Sequence, residues 1–246
     1  YFLMQGVEQG QCIVLHGKNS VELLLSQLAL IACGARVLPL NPRLPERLLA
    51  ELLPHLNVSS VIDFTDESNL LANYRNLDYQ LYYHFISDEE VAPVIFQEVF
   101  QQPATLILTS GSTGLPKAAV HSIAAHLNSA AGVVNLMNYQ QGDCWLLSLP
   151  LFHVSGQGIV WRWLLKGGSL AVKNLPLAQA LHEVTHASLV PTQLWRLLND
   201  KSVTNIALKA VLLGGASIPS TLTDLAQQHG IACWSGYGMT RSEENT

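Results

Sequence analysis

The chain has 246 residues, of which 49% are hydrophobic and 13% are charged, and its formal net charge is −5. This composition supports a large buried core and excludes intrinsic disorder, which needs few apolar residues and a high net charge. The mild negative charge without a basic cluster argues against a nucleic-acid partner. No apolar run approaches the roughly 20 residues of a membrane span, which argues against a membrane partner.

Short apolar strands alternate with helical segments in the first part of the chain. A helix N-cap is predicted at Asn19 or Ser20, and Gly34 is predicted to end that helix. Residues 65–102 show no clear period, and we interpret them as a variable connection. The predicted elements are strands at 11–16, 36–40 and 60–64 and helices at 20–33 and 45–56. This β-α-β order predicts a doubly wound parallel sheet.

The rest of the chain repeats the alternation more regularly. Strands are predicted at 105–108, 144–149, 169–172, 187–190, 210–213 and 231–234, and helices at 122–137, 157–165, 192–198 and 220–229. We therefore predict a first α/β subdomain with its connection at 1–102 and a second at 103–246. The loops with unusual residues mostly follow the carboxyl end of a strand, where ligands bind in open α/β sheets.

The strand at 105–108 runs into a loop rich in hydroxyl groups and glycine. The loop contains Thr109, Ser110, Gly111, Ser112, Thr113 and Gly114, followed by Pro116 and Lys117. Glycines let backbone N–H groups approach a phosphate, hydroxyls donate hydrogen bonds, and the lysine supplies a positive charge. The spacing does not fit a Walker P-loop. It predicts a phosphate-binding loop of another kind, with a plain surface turn as the alternative and a helix-like segment after Lys117.

Three later loops carry residues suited to binding a nucleotide and an acid. His153 lies in a loop bounded by proline and glycine and could donate a hydrogen bond to a carboxylate, although a structural histidine is the alternative. Gly214, Gly215 and Ala216 end a buried strand and could let a flat ring lie against the backbone. Tyr237 lies between glycines, where its ring could stack on a base, and Thr240 could reach a phosphate oxygen.

Taken in order, these segments resemble the adenylate-forming superfamily of acyl- and aryl-CoA synthetases, luciferases and peptide-synthetase adenylation domains. The resemblance covers nearly all of residues 101–240 and, more loosely, residues 34–56. Residues 145–163 and 186–198 are also similar to the enterobacterial type of o-succinylbenzoate–CoA ligase from menaquinone biosynthesis. The resemblance implies an α/β fold of two stacked, doubly wound, mostly parallel sheets with flanking helices.

The resemblance also implies an activity and assigns roles. The implied enzyme is an ATP-dependent acid–CoA ligase that uses Mg²⁺ and takes ATP, an aromatic acid and coenzyme A as small-molecule substrates. Lys117, His153 and Thr240 would be catalytic. Residues Thr109 to Gly114, Gly214 to Ala216, Tyr237 and Gly238 would bind ATP, and His153, Gln157 and Thr192 would contact the acid. Alternatives are an adenylating enzyme for another acid and a non-catalytic nucleotide-binding remnant.

The end of the chain departs from the family pattern. Arg241 stands where the family has the glutamate that binds magnesium, so we predict no metal ligand in this chain. The residues after Arg241 do not look like the family's continuation, and we expect the family's lid domain to be missing. We expect the 246-residue chain by itself to be an inactive fragment.

Tryptophans and arginines around the predicted acid pocket have two interpretations each. Trp161, Trp163 and Trp195 are interpreted as core packing, with a wall for an aromatic acyl group as the alternative. Arg162 and Arg196 are interpreted as surface helix arginines, with pairing to a second substrate carboxylate as the alternative.

The four cysteines are scattered along the chain. Cys12, Cys33, Cys144 and Cys233 form no Cys-x-x-Cys pair, so we interpret them as reduced thiols of a cytoplasmic protein. Because the sequence begins at Tyr1 without a basic leader, we expect no signal peptide and a missing N-terminus.

Overall fold

The computed structural model describes residues 1–65, 71–79, 100–109, 115–200, 207–236, 238 and 240. The chain divides into two compact units, Tyr1–Ala125 and His126–Thr246. The described strands form one six-stranded and one five-stranded sheet, both mostly parallel and flanked by helices. This confirms the predicted α/β class with two mostly parallel sheets.

The first unit holds the six-stranded sheet. Its strands are β1 (Cys12–His16), β2 (Arg36–Leu40), β3 (Val58–Asp63), β4 (Arg75–Asn76), β5 (Pro103–Thr109) and β6 (Lys117–Ser122). They lie in the order β4-β3-β1-β2-β5-β6, and only the β5–β6 pair is antiparallel among the described strands. The helices are α1 (Val21–Ala32) and α2 (Glu46–Leu52), the latter continued by a 3₁₀ helix (Leu53–Leu56). Both regions were predicted as helical.

Local chemistry explains where α1 begins and ends. The Ser20 hydroxyl accepts a hydrogen bond from the Leu23 backbone N–H at 3.1 Å, as expected of an N-cap serine. After the helix, Gly34 adopts φ +78°, a conformation that side chains with a Cβ rarely take. Leu23, Leu24 and Leu30 on this helix are buried, so burial of an apolar face adds to the capping.

The second unit holds the five-stranded sheet. Its strands are β7 (Cys144–Leu146), β8 (Ser169–Ala171), β9 (His186–Leu189), β10 (Ala210–Leu213) and β11 (Ala232–Ser235). The order is β11-β10-β9-β7-β8, and every described neighbouring pair is parallel. The helices are α3 (Ile123–Leu136), α4 (Val154–Lys166), α5 (Leu177–Ala180), α6 (Pro191–Asn199) and α7 (Ser220–Gln228). α3 begins in the last residues of the first unit.

One apolar cluster packs helices against this second sheet. Its fully buried members come from β7, β9, β10, α6, α7 and the segment around α5, and they include Leu146, Leu181, Leu189, Leu194, Leu213 and Ala226. Burial of such residues contributes about 1.5–3 kcal/mol per large aliphatic side chain. The cluster therefore fixes the strand ends from which the candidate loops leave.

The structure differs from the sequence prediction after Lys117. The predicted helix-like continuation is wrong there, because residues 117–122 form β6 and pair with β5. Ala119 and His121 are buried whereas Lys117 and Val120 are exposed, as expected for a strand at the end of a sheet. Since β5 and β6 both belong to the first sheet, the two compact units divide between Ala125 and His126. The predicted subdomains at 1–102 and 103–246 stay a prediction.

Two other sequence-based expectations concern membranes and thiols. Among the helices in the described part of the chain, none is long and apolar enough to cross a membrane. All four cysteines are free thiols; Cys12 is buried and the other three are half-buried. Burial raises the pKa of Cys12 to about 11, so this thiol stays protonated and unreactive at neutral pH.

Candidate functional site

The carboxyl edge of the second sheet gathers most of the predicted site residues. Strands β11, β10, β9 and β7 are neighbours and parallel, so the loops that leave their carboxyl ends emerge side by side. The described site residues on these loops are His153, Thr192, Gly214, Gly215, Ala216, Gly238 and Thr240. Segments that are up to 87 positions apart in the chain, from His153 to Thr240, thus meet at one edge of one sheet.

Backbone hydrogen bonds tie these loops to one another. The Gly236 N–H donates to the Leu213 carbonyl at 2.7 Å, and the Gly214 N–H donates to the Leu189 carbonyl at 3.3 Å. The Ser148 hydroxyl donates to the Ser188 carbonyl. The backbone hydrogen bonds of the sheet therefore continue one residue past β10 and β11, which holds the bases of these loops rigidly.

The glycines after β10 are needed where they stand. Gly215 has φ +78°, and a Cβ on Gly214 would lie 3.3 Å from the Gly236 carbonyl oxygen, tighter than an ordinary contact. Gly215 and Ala216 are exposed, so their bare backbone faces outward at the sheet edge. This is the surface against which a flat ring was predicted to lie, and that role stays a prediction.

His153 is the N-cap residue of α4, and its side chain makes no capping hydrogen bond. The imidazole is exposed and lies edge-on to the Phe152 ring, with 4.7 Å between the ring centroids. Partial burial lowers the pKa of His153 below its ordinary value. The ring is therefore neutral at pH 7, with one nitrogen able to donate and the other able to accept a hydrogen bond.

The loop that carries His153 is closed tightly. The His153 N–H donates to the Pro150 carbonyl at 3.1 Å, and the His153 carbonyl accepts from the Gly156 N–H at 3.0 Å. A Cβ on Gly156 would overlap the Pro150 carbonyl and lie 2.8 Å from the Leu149 carbonyl oxygen. Only glycine allows the first turn of α4 to pack this closely against the loop.

The two residues predicted beside His153 in the acid pocket have different environments. Gln157 is fully buried, and its side-chain N–H donates to the Leu151 carbonyl at 2.6 Å. Thr192 is exposed in the first turn of α6, whose start is fixed by a hydrogen bond from the Val190 N–H to the Gln193 side chain at 2.9 Å. Thr192 is thus accessible to a ligand at the edge, whereas Gln157 supports the loop from within.

The predicted phosphate loop connects the two antiparallel strands of the first sheet. Thr109 and Lys117 are register partners, and the Thr109 hydroxyl donates to the Lys117 carbonyl at 3.1 Å. The Lys117 side chain is exposed. Ser110, Gly111, Ser112, Thr113 and Gly114 lie outside the described residues, as do Tyr237 and Arg241. Their predicted roles stay predictions.

The solvent exposure of Trp195 and the burial of Arg162 contradict two of the sequence-based interpretations. Trp161 is buried and stacks on His126, but Trp195 is 57% exposed, so core packing is wrong for Trp195 because it lies on the outer face of α6. Arg162 is only 6% exposed, so it is not a surface arginine. Its guanidinium carbon lies 5.3 Å from the centroid of the Trp145 ring. Arg196 is exposed, as interpreted.

Gly158 is a sequence signal for the burial of Arg162. Gly158 lies four residues earlier on α4, and a Cβ there would come within 2.9 Å of an Arg162 guanidinium nitrogen. Residues four apart on a helix share a face. Gly158 therefore leaves room for the Arg162 guanidinium to lie along the helix surface. An arginine that extended into solvent would not need this room.

Comparisons with known proteins agree with the fold. A family model described as "AMP-binding enzyme" matches residues 1–242. The 2-succinylbenzoate–CoA ligase of Escherichia coli K12 is 50% identical over 97% of this chain and 51% of its own length. The enzyme of the same name from Haemophilus influenzae is 44% identical over 96% of this chain and 49% of its own length. The chain thus spans about half the length of these curated relatives.

Solved structures give the same result. An Escherichia coli MenE variant with bound OSB-AMS superposes with a TM-score of 0.88 at 48% identity, covering 98% of this chain and 52% of that one. The o-succinylbenzoate coenzyme A synthetase of Bacillus subtilis in complex with AMP has a TM-score of 0.85 at 24% identity, covering 98% and 64%. The second likeness shows the fold.

Proposed function

Because the chain belongs to the family of AMP-binding enzymes, we propose that it is part of an AMP-forming acid–CoA ligase acting on o-succinylbenzoate in menaquinone biosynthesis. A carboxylate of the acid attacks the α-phosphorus of ATP, which gives an acyl-adenylate and releases pyrophosphate. The thiol of coenzyme A then attacks the acyl carbon and releases AMP. The choice of acid rests on the names of relatives that are 44–50% identical.

The observation that carries the proposal is the shared carboxyl edge of β7, β9, β10 and β11. A histidine loop, the first turn of a helix, a glycine pair and the segment with Gly238 and Thr240 leave adjacent strands there. Both steps transfer a group between bound molecules, so the protein must mainly position them and stabilise developing charge. Loops that are rigidly tied at their bases suit that task.

We assign nucleotide binding to individual residues by the chemistry of each one. Lys117 and Thr109, with residues 110–114, bind the β- and γ-phosphates, and the exposed ammonium of Lys117 supplies the positive charge. Gly214, Gly215 and Ala216, with Tyr237 and Gly238, hold the adenine. Thr240 donates its hydroxyl to a phosphate oxygen.

The acid is bound by polar groups of the second unit. His153, neutral at pH 7, donates a hydrogen bond to the reacting carboxylate and keeps it oriented, and Thr192 contacts the acid from the start of α6. Arg162 pairs with the second carboxylate of the dicarboxylic substrate. Its burial and its position over Trp145 support this role, because a guanidinium held in a low-dielectric environment binds a carboxylate more strongly than an exposed one.

Magnesium enters with ATP in this proposal. No group of three or more potential ligands among histidine, cysteine, aspartate and glutamate lies together in the described part of the chain. The family's magnesium-binding glutamate is replaced by Arg241. We therefore derive no step of the reaction through a metal held by these residues.

Exchange of labelled pyrophosphate into ATP tests the proposal. The chain would be joined to the C-terminal half of the Escherichia coli relative and supplied with o-succinylbenzoate, benzoate or a fatty acid. We expect exchange that depends on o-succinylbenzoate. Exchange that is faster with another acid indicates a different adenylating enzyme, and ATP binding without exchange indicates a non-catalytic nucleotide-binding domain.

A further inference from the structure

Gln157 is a fully buried amide on the inner face of the loop that presents His153. Its Nε2 donates to the Leu151 carbonyl at 2.6 Å, while its own backbone N–H donates to the His153 carbonyl at 3.1 Å. The two bonds connect the first turn of α4 to both sides of Phe152. Gln157 therefore holds the loop at two positions, Leu151 and His153.

The energetic cost of a buried amide makes this arrangement informative. A glutamine without hydrogen bonds would be unfavourable at a fully buried position by about 1–3 kcal/mol, and an apolar side chain of similar size would fill the space without that risk. The bond to Leu151 offsets the cost only while the loop keeps its present path. The amide thus selects one conformation of the loop over others.

The surroundings leave this loop little freedom to adjust. Gly156 packs against the Pro150 carbonyl with no room for a Cβ, and Leu151 is 1% exposed. The His153 side chain, by contrast, is exposed and makes no capping bond. The position of the imidazole is consequently set by the backbone beneath it.

We propose that Gln157 is a positioning residue: its amide holds the Leu151 carbonyl so that the loop presents His153 to the reacting carboxylate, and Gln157 itself does not touch the acid. This inference rests on the proposed function, since it concerns the same acid site. It replaces the sequence-based expectation that Gln157 lines the acid pocket.

The test compares Gln157→Met, which keeps the volume and removes the donor, with Gln227→Met, the same change on an exposed position of α7. Gln157→Leu also removes the donor, introduces no ionisable group, and gives the same test where the methionine variant does not fold. For each folded protein, NMR follows the His153 ring signal with pH, and calorimetry measures o-succinylbenzoate binding in the presence of AMP.

We expect the Gln157 variants to shift the pKa of His153 upward toward its ordinary value, as the loosened ring becomes hydrated, and to weaken acid binding roughly fivefold to tenfold. Gln227→Met should match the parent in both. Loss of acid affinity with an unchanged His153 titration would identify Gln157 as a direct ligand and overturn the inference. Acid affinity and a His153 titration that both equal those of the parent would also overturn it. A parent protein that binds neither AMP nor the acid would contradict the proposed function itself.

Discussion

The two sheets present their candidate loops by different means. In the first sheet, the predicted phosphate loop joins β5 and β6, the one antiparallel pair among the described strands, and its two ends are register partners. In the second sheet every candidate loop leaves the carboxyl end of a parallel strand. A hairpin is closed by its own two strands, whereas the second set of loops depends on distant segments being brought side by side.

This difference explains which site features are local and which are not. Thr109 and Lys117 are held by contacts between residues eight positions apart. The alignment of His153 with the loops after β9, β10 and β11 depends instead on the order of four strands. We expect substitutions in the β5–β6 hairpin to change ligand binding with little effect on stability. Substitutions where the loops leave β7, β9, β10 and β11 should change both ligand binding and stability.

Lys117→Ala tests the hairpin and should have the largest effect. Loss of one charge-assisted phosphate contact should cost about 1.5–3 kcal/mol, which lowers pyrophosphate exchange roughly 10- to 150-fold. Because Lys117 is exposed at the start of β6, the melting temperature should hardly change. The measurement is pyrophosphate exchange in the chain joined to the relative's C-terminal half, with the exposed Lys166→Ala as control. Exchange within twofold of the parent would refute the phosphate role.

Gly156→Ala tests the tight packing below the His153 loop. The added Cβ would overlap the Pro150 carbonyl, and forced overpacking of this kind costs about 1–3 kcal/mol of unfolding free energy. Denaturant unfolding of the second unit measures the change. Gly132→Ala is the matched control: Gly132 lies within α3 with nothing inside 4 Å of a new Cβ, and alanine there should stabilise by about 0.5–1 kcal/mol. Equal effects of the two variants would exclude the packing argument.

Asp143→Asn tests the amino edge of the second sheet, which lies at the other end of the strands from the candidate loops. We expect this substitution to change stability and not ligand binding. Asp143 precedes β7 and accepts hydrogen bonds from Lys209 Nζ at 2.9 Å and the Gln140 N–H at 3.1 Å. Burial raises the pKa of Asp143, but these hydrogen bonds outweigh burial and hold the pKa below its ordinary value. The ionised carboxylate thus stabilises the fold above about pH 4, and this contribution is lost as pH falls through the lowered pKa.

The Asp143→Asn variant should therefore lose about 1–2 kcal/mol of unfolding free energy at neutral pH. The loss is smaller than for a fully buried ion pair because the Lys209 side chain is 65% exposed and solvent screens the interaction. The stability of the variant should also vary less than the parent's below pH 4. Urea unfolding between pH 2.5 and 7 measures both effects, and AMP binding at pH 7 should match the parent. A change in AMP affinity without a change in stability would contradict the assignment of ligand binding in the second sheet to its carboxyl edge alone.

Tyr237→Ala tests the loop after β11 and should have the smallest effect. Loss of stacking on adenine should weaken AMP binding by roughly 1 kcal/mol, about fivefold, with unchanged thermal stability. Calorimetry with AMP measures it, and Tyr237→Phe should retain most of the affinity because the ring is kept. Parent-like affinity of the alanine variant in a folded protein would remove Tyr237 from the adenine site.

Much of the fold was predictable because its elements are strongly patterned. The bounds of β2 and β10 agree with the sequence prediction, and the Ser20 cap and Gly34 stop lie where predicted. β6 was missed because its six residues include two alanines and contain no run of β-branched residues. Its strand conformation comes from pairing with β5, which a local pattern does not encode.

By itself, the sequence determined the α/β class, the alternation of strands and helices, and the chemistry of the loops, because periodicity, capping residues and glycine-rich motifs act over a few positions. The tertiary structure decided the pairing of β6, the boundary at residues 125/126, the exposure of Trp195, and the burial of Arg162 and Gln157. These features depend on contacts between segments distant in the chain. Only packing determines which face of a helix is buried and which polar group meets a partner there.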